Sequence, residues 1–255
     1  NVGIVPGGVT EVPSIDKITS FLWRLNELRE FIDNIYLPDV FTVAKVYSDY
    51  FFIGKGCGNL LSYGSYELDG KEPDLTKRER LFKQGIIFTD LNPGTLDLNR
   101  ISEDVKYSWY ESLTTGRNPA QGEIKLDEGK NGAYSWIKSP RYDGEVYEVG
   151  PLARLLIRYA SNEPTVQALV DSVLARFRVS PDALFSVLGR HIARALDTKF
   201  VADSMQGWLL QLEPGEPVCI DYTIPEEAQG MGLTEAARGA LGHWMEIKEG
   251  RIANY

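Results

Sequence analysis

The chain has 255 residues, of which 43% are hydrophobic and 25% charged, and its formal net charge at pH 7 is −9. These proportions are ordinary for a folded globular protein and exclude wholesale disorder, whereas the acidic balance argues against nucleic acid or an anionic membrane surface as the main partner. No uninterrupted apolar run approaches the roughly 20 residues that a membrane-spanning helix needs.

The first predicted elements are two helices. Apolar residues recur at helical spacing after Ser14, a plausible N-cap, and Pro38 should break or bend this first helix. A second apolar helix should follow and end at Gly54, a good C-terminal stop. We therefore predict a helical hairpin in residues 1–54.

Residues 55–149 have a different pattern. Glycines, prolines and short apolar runs such as GIIFTDL, which begins at Gly85, predict hairpins and long surface loops. Residues 113–133 are polar and rich in glycine, which is typical of an exposed connection. This part of the chain is predicted to be a loop- and hairpin-rich insertion.

Helical patterns resume in residues 150–212, which we interpret as a segment of a helical bundle. One helix should begin at GPLARLLIRYA, after Gly150, and another at Pro164. Ser180 is the predicted N-cap of a third helix that reaches Phe200 or beyond. The prediction for the whole chain is a mainly α, multihelical fold with a middle rich in β-hairpins and loops.

The cysteines and histidines do not form a recognisable metal site. Cys57 and Cys219 lie far apart without a CxxC motif, so we interpret them as two small buried side chains, while a disulfide is left open by their spacing. His191 follows the apolar face of the third predicted helix and is expected to be a hydrogen-bonded core or interface residue. The sequence offers no complete set of metal ligands.

The most unusual stretch is GMGLTEAARGALGHW, from Gly230 to Trp244, in which small residues surround a lone arginine, Arg238. A guanidinium is always charged, and burying it without a partner is costly. Arg238 must therefore pair with an acid such as Glu235 or face a bound anionic group. Sequence spacing does not decide between these two interpretations.

Four segments of the chain resemble, in the same order, the large subunit of nickel–iron hydrogenases. They are PGGVT with the later YLPDV (Tyr36 to Val40), GNLLSYG (Gly58 to Gly64), AYSWIKSPRYDGEVYEVGPLARLL (Ala133 to Leu156) and GMGLTEAARGALGHWMEIKEGRIANY (Gly230 to Tyr255). The resemblance implies a hydrogenase-like fold in which residues 213–255 form a turn over the active site and a terminal hairpin.

The resemblance also implies an oxidoreductase activity. The large subunit of this family holds a nickel–iron centre, with cyanide and carbon monoxide on the iron, and converts H2 to protons and to electrons that pass to an iron–sulfur small subunit. Its four cysteine ligands come from two CxxC motifs, and Cys57 and Cys219 match neither. Since the chain opens on Asn1 and closes on GRIANY, both ends look cut. We expect the middle segment of a large subunit, not catalytic by itself.

Arg238 matches the arginine whose guanidinium hangs over the open face of the metals, which implies a catalytic and cofactor-binding role in the parent protein. The residues expected to form the wall of the pocket or to support it are Glu235, Ala236, Ala237, Gly239 and His243. Ala237 replaces the usual proline of the family, which predicts a looser turn. His243 either orients that turn by a hydrogen bond or packs as a pair with Trp244.

Three residues of the preceding segment have expected roles. Gly150 allows a tight entry into a helix, and Arg154 should pair with a nearby acid in a structural role. Glu148 is one of many carboxylates that could relay protons. Nothing in its spacing selects it over the others.

The sequences of the segments YSWIKSPR and YEVGPLAR are most similar to those of the respiratory uptake class. That similarity implies a periplasmic or membrane-associated enzyme, with a membrane cytochrome b as a further partner, and a cytoplasmic place as the alternative. Other functions that fit are an H2-sensing regulatory protein, the quinone-site subunit of a complex I relative and a non-catalytic scaffold fragment. We also expect exposed apolar faces.

Overall fold

The computed structural model describes residues 2–70, 72, 77–122 and 125–255. Its α-helices are α1 (Ile15–Phe31), α2 (Leu37–Val46), α3 (Pro151–Ala160), α4 (Pro164–Phe177) and α5 (Val187–Leu210). Its strands are β1 (Ile4–Val5), β2 (Gly8–Val9), β3 (Leu60–Ser62), β4 (Ser65–Glu67), β5 (Arg80–Phe82), β6 (Gly85–Ile87), β7 (Pro93–Gly94), β8 (Ile101–Asp104), β9 (Ser139–Tyr142), β10 (Glu227–Ala236), β11 (Gly239–Lys248) and β12 (Arg251–Asn254).

Helix α3 lies at the centre of the fold. Every residue from Pro151 to Arg158 is buried, because α4, α5, β3 and β6 pack around this helix. Leu156 and Ile157 join Ile192 of α5 in the main hydrophobic cluster. Two arginines in this buried helix, Arg154 and Arg158, must find their partners inside the protein.

The N-terminal helices do not form the predicted hairpin. A π-helical segment, Ile32–Tyr36, joins α1 directly to α2, and the N–H of Leu37 donates to the carbonyl of Ile32. The wider π turn accommodates Pro38 within a continuous helical run, so the proline does not reverse the chain. Ser14 caps the start of α1 as predicted, accepting from the N–H of Lys17.

The later helices agree with the sequence pattern except at one start. Pro151 and Pro164 occupy the first turns of α3 and α4, as predicted. Ser180 instead precedes a short 3-10 turn, and α5 begins only after Ser186, whose hydroxyl accepts from the N–H of Gly189. The predicted helix therefore starts later than expected and continues to Leu210.

The middle of the chain forms small antiparallel sheets, as predicted. Strands β3, β6 and β7 make one sheet, while β4 pairs with β5 and β8 pairs with β9. The C-terminal part forms a larger three-stranded antiparallel sheet in the order β10-β11-β12. "Mainly α" is thus too simple a description, since a helical core carries several sheets. No helix within the described ranges is long and apolar enough to cross a membrane.

The prediction of buried cysteines is wrong, and His191 is not a core residue, while the alternative that it lies at an interface stays a prediction. Cys57 and Cys219 are both free and exposed, because each lies in an irregular segment away from the hydrophobic clusters. His191 is also exposed, on a face of α5 that borders an apolar cleft beside Val43 and Tyr47. The expected exposed apolar faces are present, for example at Phe21, Trp23, Val46 and Phe52.

Candidate functional site

Arg238 lies at the tip of a long hairpin. Strands β10 and β11 stay paired up to Ala236 and Gly239, so that Ala237 and Arg238 form a two-residue turn. The Arg238 side chain is exposed, and no hydrogen bond or ion pair joins it to the part of the chain that the structure describes. This geometry leaves its guanidinium donors free to bind something outside these residues.

Glu235 is not the partner of Arg238. Its side chain is 2% exposed, and its carboxylate accepts from the N–H of Tyr63 at 2.7 Å and from the hydroxyl of Ser62 at 3.1 Å. The second carboxylate oxygen accepts from Nη1 of Arg154 at 3.0 Å. The interpretation of an internal Glu235–Arg238 pair is therefore wrong, because Glu235 faces the interior while Arg238 lies in the exposed turn.

Arg154 binds the hairpin from the protein interior. Its side chain is 3% exposed, and Nε and Nη2 bind the two carboxylate oxygens of Asp197 on α5 at 3.2 and 2.7 Å. In addition to Glu235, the same guanidinium donates to the carbonyls of Ala236 at 3.0 Å and Ala237 at 3.2 Å. These five contacts match the five N–H groups of a guanidinium. The expected pairing of Arg154 with an acid is confirmed.

Burial controls the protonation of this cluster. Burial raises the pKa of the Tyr63 hydroxyl to about 12, and the charge of Glu235 adds to that effect. Burial also raises the pKa of the Glu235 carboxyl, although Arg154, Tyr63 and Ser62 all favour its ionised form. For Arg154, burial works against the charge, but the bonds with Asp197 and Glu235 outweigh it and raise the pKa. Arg154 therefore stays cationic.

A cleft of about 300 Å³ adjoins the cluster between α1 and α5. Arg154, Asp197, Glu235 and the two alanines of the hairpin line one side of it. Ser65 also lines this cleft, and its buried hydroxyl has no hydrogen-bond partner among the described residues. The underside of the turn is thus polar, although Arg238 itself lies on the outside.

Two glycines allow the hairpin tip to approach the start of α3. Gly239 has φ +143°, and a Cβ there would lie 2.5 Å from Cγ2 of Val149 and 2.8 Å from the backbone N of Gly150. A Cβ on Gly150 would lie 2.8 Å from the carbonyl oxygen of Arg238. By contrast, a Cβ on Gly230 would meet no atom of the described residues within 4 Å. Close backbone contact explains the small residues at the tip but not all of those along the strands.

His243 and Trp244 do not form the predicted packed pair. Successive residues of a strand face opposite sides of the sheet. Trp244 packs against the smaller hydrophobic cluster, whereas His243 is exposed and stacks on Tyr255, whose hydroxyl contacts its Nδ1. His243 pairs with Gly232 along the hairpin and, within the described ranges, makes no hydrogen bond to the turn.

Sequence reasoning missed three residues of this cluster. Asp197, Ser62 and Tyr63 were not expected at the site, and Arg154 is separated from Asp197 by 43 positions and from Glu235 by 81. No short-range spacing signal connects residues so far apart. Glu148, considered as a proton relay, binds Arg190 through both carboxylate oxygens at 2.6 Å, which indicates a structural ion pair.

The described residues do not fit a nickel–iron centre. No group of three or more His, Cys, Asp or Glu side chains in the described ranges is placed to hold a metal ion. Cys57 and Cys219 are single exposed thiols, whereas the centre expected from the resemblance needs four thiolates. Such a centre would need thiolate ligands other than those of Cys57 and Cys219.

Comparison with known proteins matches the chain along almost its whole length. A family model described as nickel-dependent hydrogenase matches residues 2–255. The chain is 35% identical to the periplasmic [NiFeSe] hydrogenase large subunit of Desulfomicrobium baculatum, covering 99% of this chain and 49% of that protein. It is 37% identical to the uptake hydrogenase large subunit of Azotobacter chroococcum, covering 98% of this chain and 47% of the relative.

The solved structures give the same result. The reduced Ni-Fe-Se hydrogenase of D. vulgaris Hildenborough superposes with a TM-score of 0.85 at 35% identity, over 98% of this chain and 52% of that one. The H2-activated [NiFeSe]-hydrogenase of Dm. baculatum gives a TM-score of 0.86 at 36% identity, over 99% of this chain and 52% of that one. The chain therefore spans about half the length of the relatives that it matches.

Proposed function

We propose that this chain, which belongs to the nickel-dependent hydrogenase family, is the middle segment of a large subunit that converts H2 reversibly to protons and electrons. The activity belongs to the whole protein, because the chain covers only about half of its relatives. The metal ligands come from the rest of the large subunit, and this chain contributes one wall of the site.

The exposed guanidinium of Arg238, which has no partner among the described residues and lies on an anchored turn, is the observation that carries this proposal. Fixed donors in a site that excludes water stabilise negative charge without having to reorganise. Arg238 is the residue of this chain that meets the cofactor, with Ala236, Ala237 and Gly239 forming the wall beside it. Glu235 supports that wall from inside, because its carboxylate faces Arg154.

The names of the relatives support a proposal for the partners and the location. A large subunit implies a small subunit, and we propose an iron–sulfur small subunit as the electron acceptor. One relative is named periplasmic and another is named an uptake hydrogenase. We therefore propose a periplasmic enzyme of the uptake class, with membrane association through a cytochrome b as the more specific form of this proposal.

The test is an Arg238→Lys variant of the complete assembled enzyme, measured for nickel and iron content and for H2 oxidation with an artificial electron acceptor. Arg251→Lys is the control, because Arg251 is an exposed arginine of the same sheet. Arg238→Lys should retain both metals and lose roughly 100-fold or more of the rate, the scale for removing one preorganised donor. Arg251→Lys should behave as the wild type.

Two results would contradict the proposal. Wild-type turnover by a metal-loaded Arg238→Lys enzyme would show that the guanidinium does not act in the reaction. A wild-type enzyme that holds its metals and binds H2 without turnover would instead support the H2-sensing alternative.

A further inference from the structure

We propose that Arg154 is a positioning residue for Arg238, and that it acts by fixing the carbonyls of the turn that carries Arg238. This inference rests on the proposed role of Arg238 in the reaction. It assigns to a buried residue of α3, distant in sequence from the hairpin, control over the direction of the exposed guanidinium.

Two elements, α5 and the hairpin, converge on the Arg154 side chain. The acceptors around Arg154 come from Asp197 on α5 and from Glu235, Ala236 and Ala237 on the hairpin. Two of these acceptors are backbone carbonyls immediately before Arg238. Fixing both of them fixes the peptide planes that lead into the arginine.

Three successive carbonyls of the tip lie against α3 or the residue that precedes it. Arg154 binds those of Ala236 and Ala237, while the carbonyl of Arg238 lies against Gly150, at the start of the same helix. The carboxylate of Glu235 is held in turn by the N–H of Tyr63. Contacts with the buried core therefore position the turn, which has alanine and not proline at position 237.

No other cationic side chain can make this set of contacts. Lysine has three donors on a single nitrogen, so it cannot bind Asp197 bidentately and also reach Glu235 and both carbonyls. Arg154→Lys therefore keeps the charge in the buried cluster but releases part of the turn. This separates positioning from simple charge balance.

The test uses the complete assembled enzyme with Arg154→Lys, and Arg190→Lys as the matched control. Arg190 also binds a carboxylate bidentately, that of Glu148, and donates to the carbonyls of Gly54 and Lys55, but none of its hydrogen bonds within the described ranges reaches the hairpin. The readouts are amide hydrogen exchange of the segment 233–241, kcat and KM for H2, and thermal stability. Amide exchange reports on the turn whether or not the enzyme is active.

Arg154→Lys should speed exchange in segment 233–241 and lower kcat at least tenfold with little change in KM. Arg190→Lys should lower thermal stability without either effect. Unchanged exchange in segment 233–241 together with kcat within twofold of the wild type would overturn the proposal, as would equal effects of the two variants. If Arg154→Lys does not fold, the variant Asp197→Asn replaces it, because it weakens the hold of α5 on Arg154. Asp197→Asn should give a smaller change in exchange and in kcat in the same direction. No change in either would overturn the proposal.

The outcomes also separate this inference from the proposed function. Faster exchange in segment 233–241, in an enzyme whose wild type does not oxidise H2, would sustain the anchor and reject the hydrogenase reaction. Normal turnover of H2 by the wild type, with no effect of Arg154→Lys on exchange or kcat, would support the hydrogenase reaction and reject the positioning role of Arg154.

Discussion

Replacing Ala237 with proline should stabilise the hairpin. Ala237 is exposed in the first position of the turn, its φ is not in the left-handed region, and Ala236 before it is extended in β10. Proline is favoured at this position of a turn and requires an extended residue before it. The carbonyl of residue 237 remains available to Arg154. Reduced freedom of the unfolded chain should therefore raise the free energy of unfolding by about 0.4–1 kcal/mol.

Urea denaturation of the wild type, Ala237→Pro and Ala240→Pro would measure this effect. Ala240 lies within the paired strand β11, where proline is poorly tolerated, so Ala240→Pro should be destabilised. A loss of stability in Ala237→Pro would refute the reasoning, since it would mean that the turn needs an N–H or a backbone angle that proline lacks.

The same Ala237→Pro substitution tests the prediction of a looser turn. If Ala237 leaves Arg238 mobile, the proline variant of the complete enzyme should differ from the wild type in H2 oxidation or in inactivation by oxygen. Identical behaviour in both assays would show that the anchor at Arg154 already supplies the rigidity that a proline would add at position 237.

Gly239→Ala should destabilise the protein by about 1–3 kcal/mol, because a Cβ at φ +143° meets Val149 and Gly150. Gly230→Ala should be tolerated, because its Cβ would meet no atom of the described residues within 4 Å. Equal denaturation midpoints for the two variants would contradict this. Because burial raises the pKa of Tyr63 to about 12, the folded protein resists ionising it, and stability that is fully present below pH 10 should be lost between pH 10 and 12. Tyr63→Phe should abolish that part of the loss, which is at most roughly 3 kcal/mol, and parallel unfolding curves against pH for both proteins would exclude it.

Most of the local structure could be predicted from short-range patterns. Prolines at positions 151 and 164 start helices because the first turn does not need their N–H, and Ser14 caps α1 by the same local logic. The prediction failed where a pattern had two local solutions. Pro38 could end a helix or be absorbed by a π turn, and packing of the continuous run against α5 selected the second.

By itself the sequence determined the family, through motifs spread along the chain, and it singled out Arg238 as an unusual cation among small residues. Only the tertiary structure showed that Arg238 does not pair with Glu235. Glu235 binds Arg154, which lies on α3, 81 positions earlier in the chain. The burial that strengthens this contact is created by the packing of α3, α5 and β3. A lone sequence cannot specify such a contact, because the free energy of a buried ion pair depends on the acceptors and the solvent exclusion that the whole fold supplies.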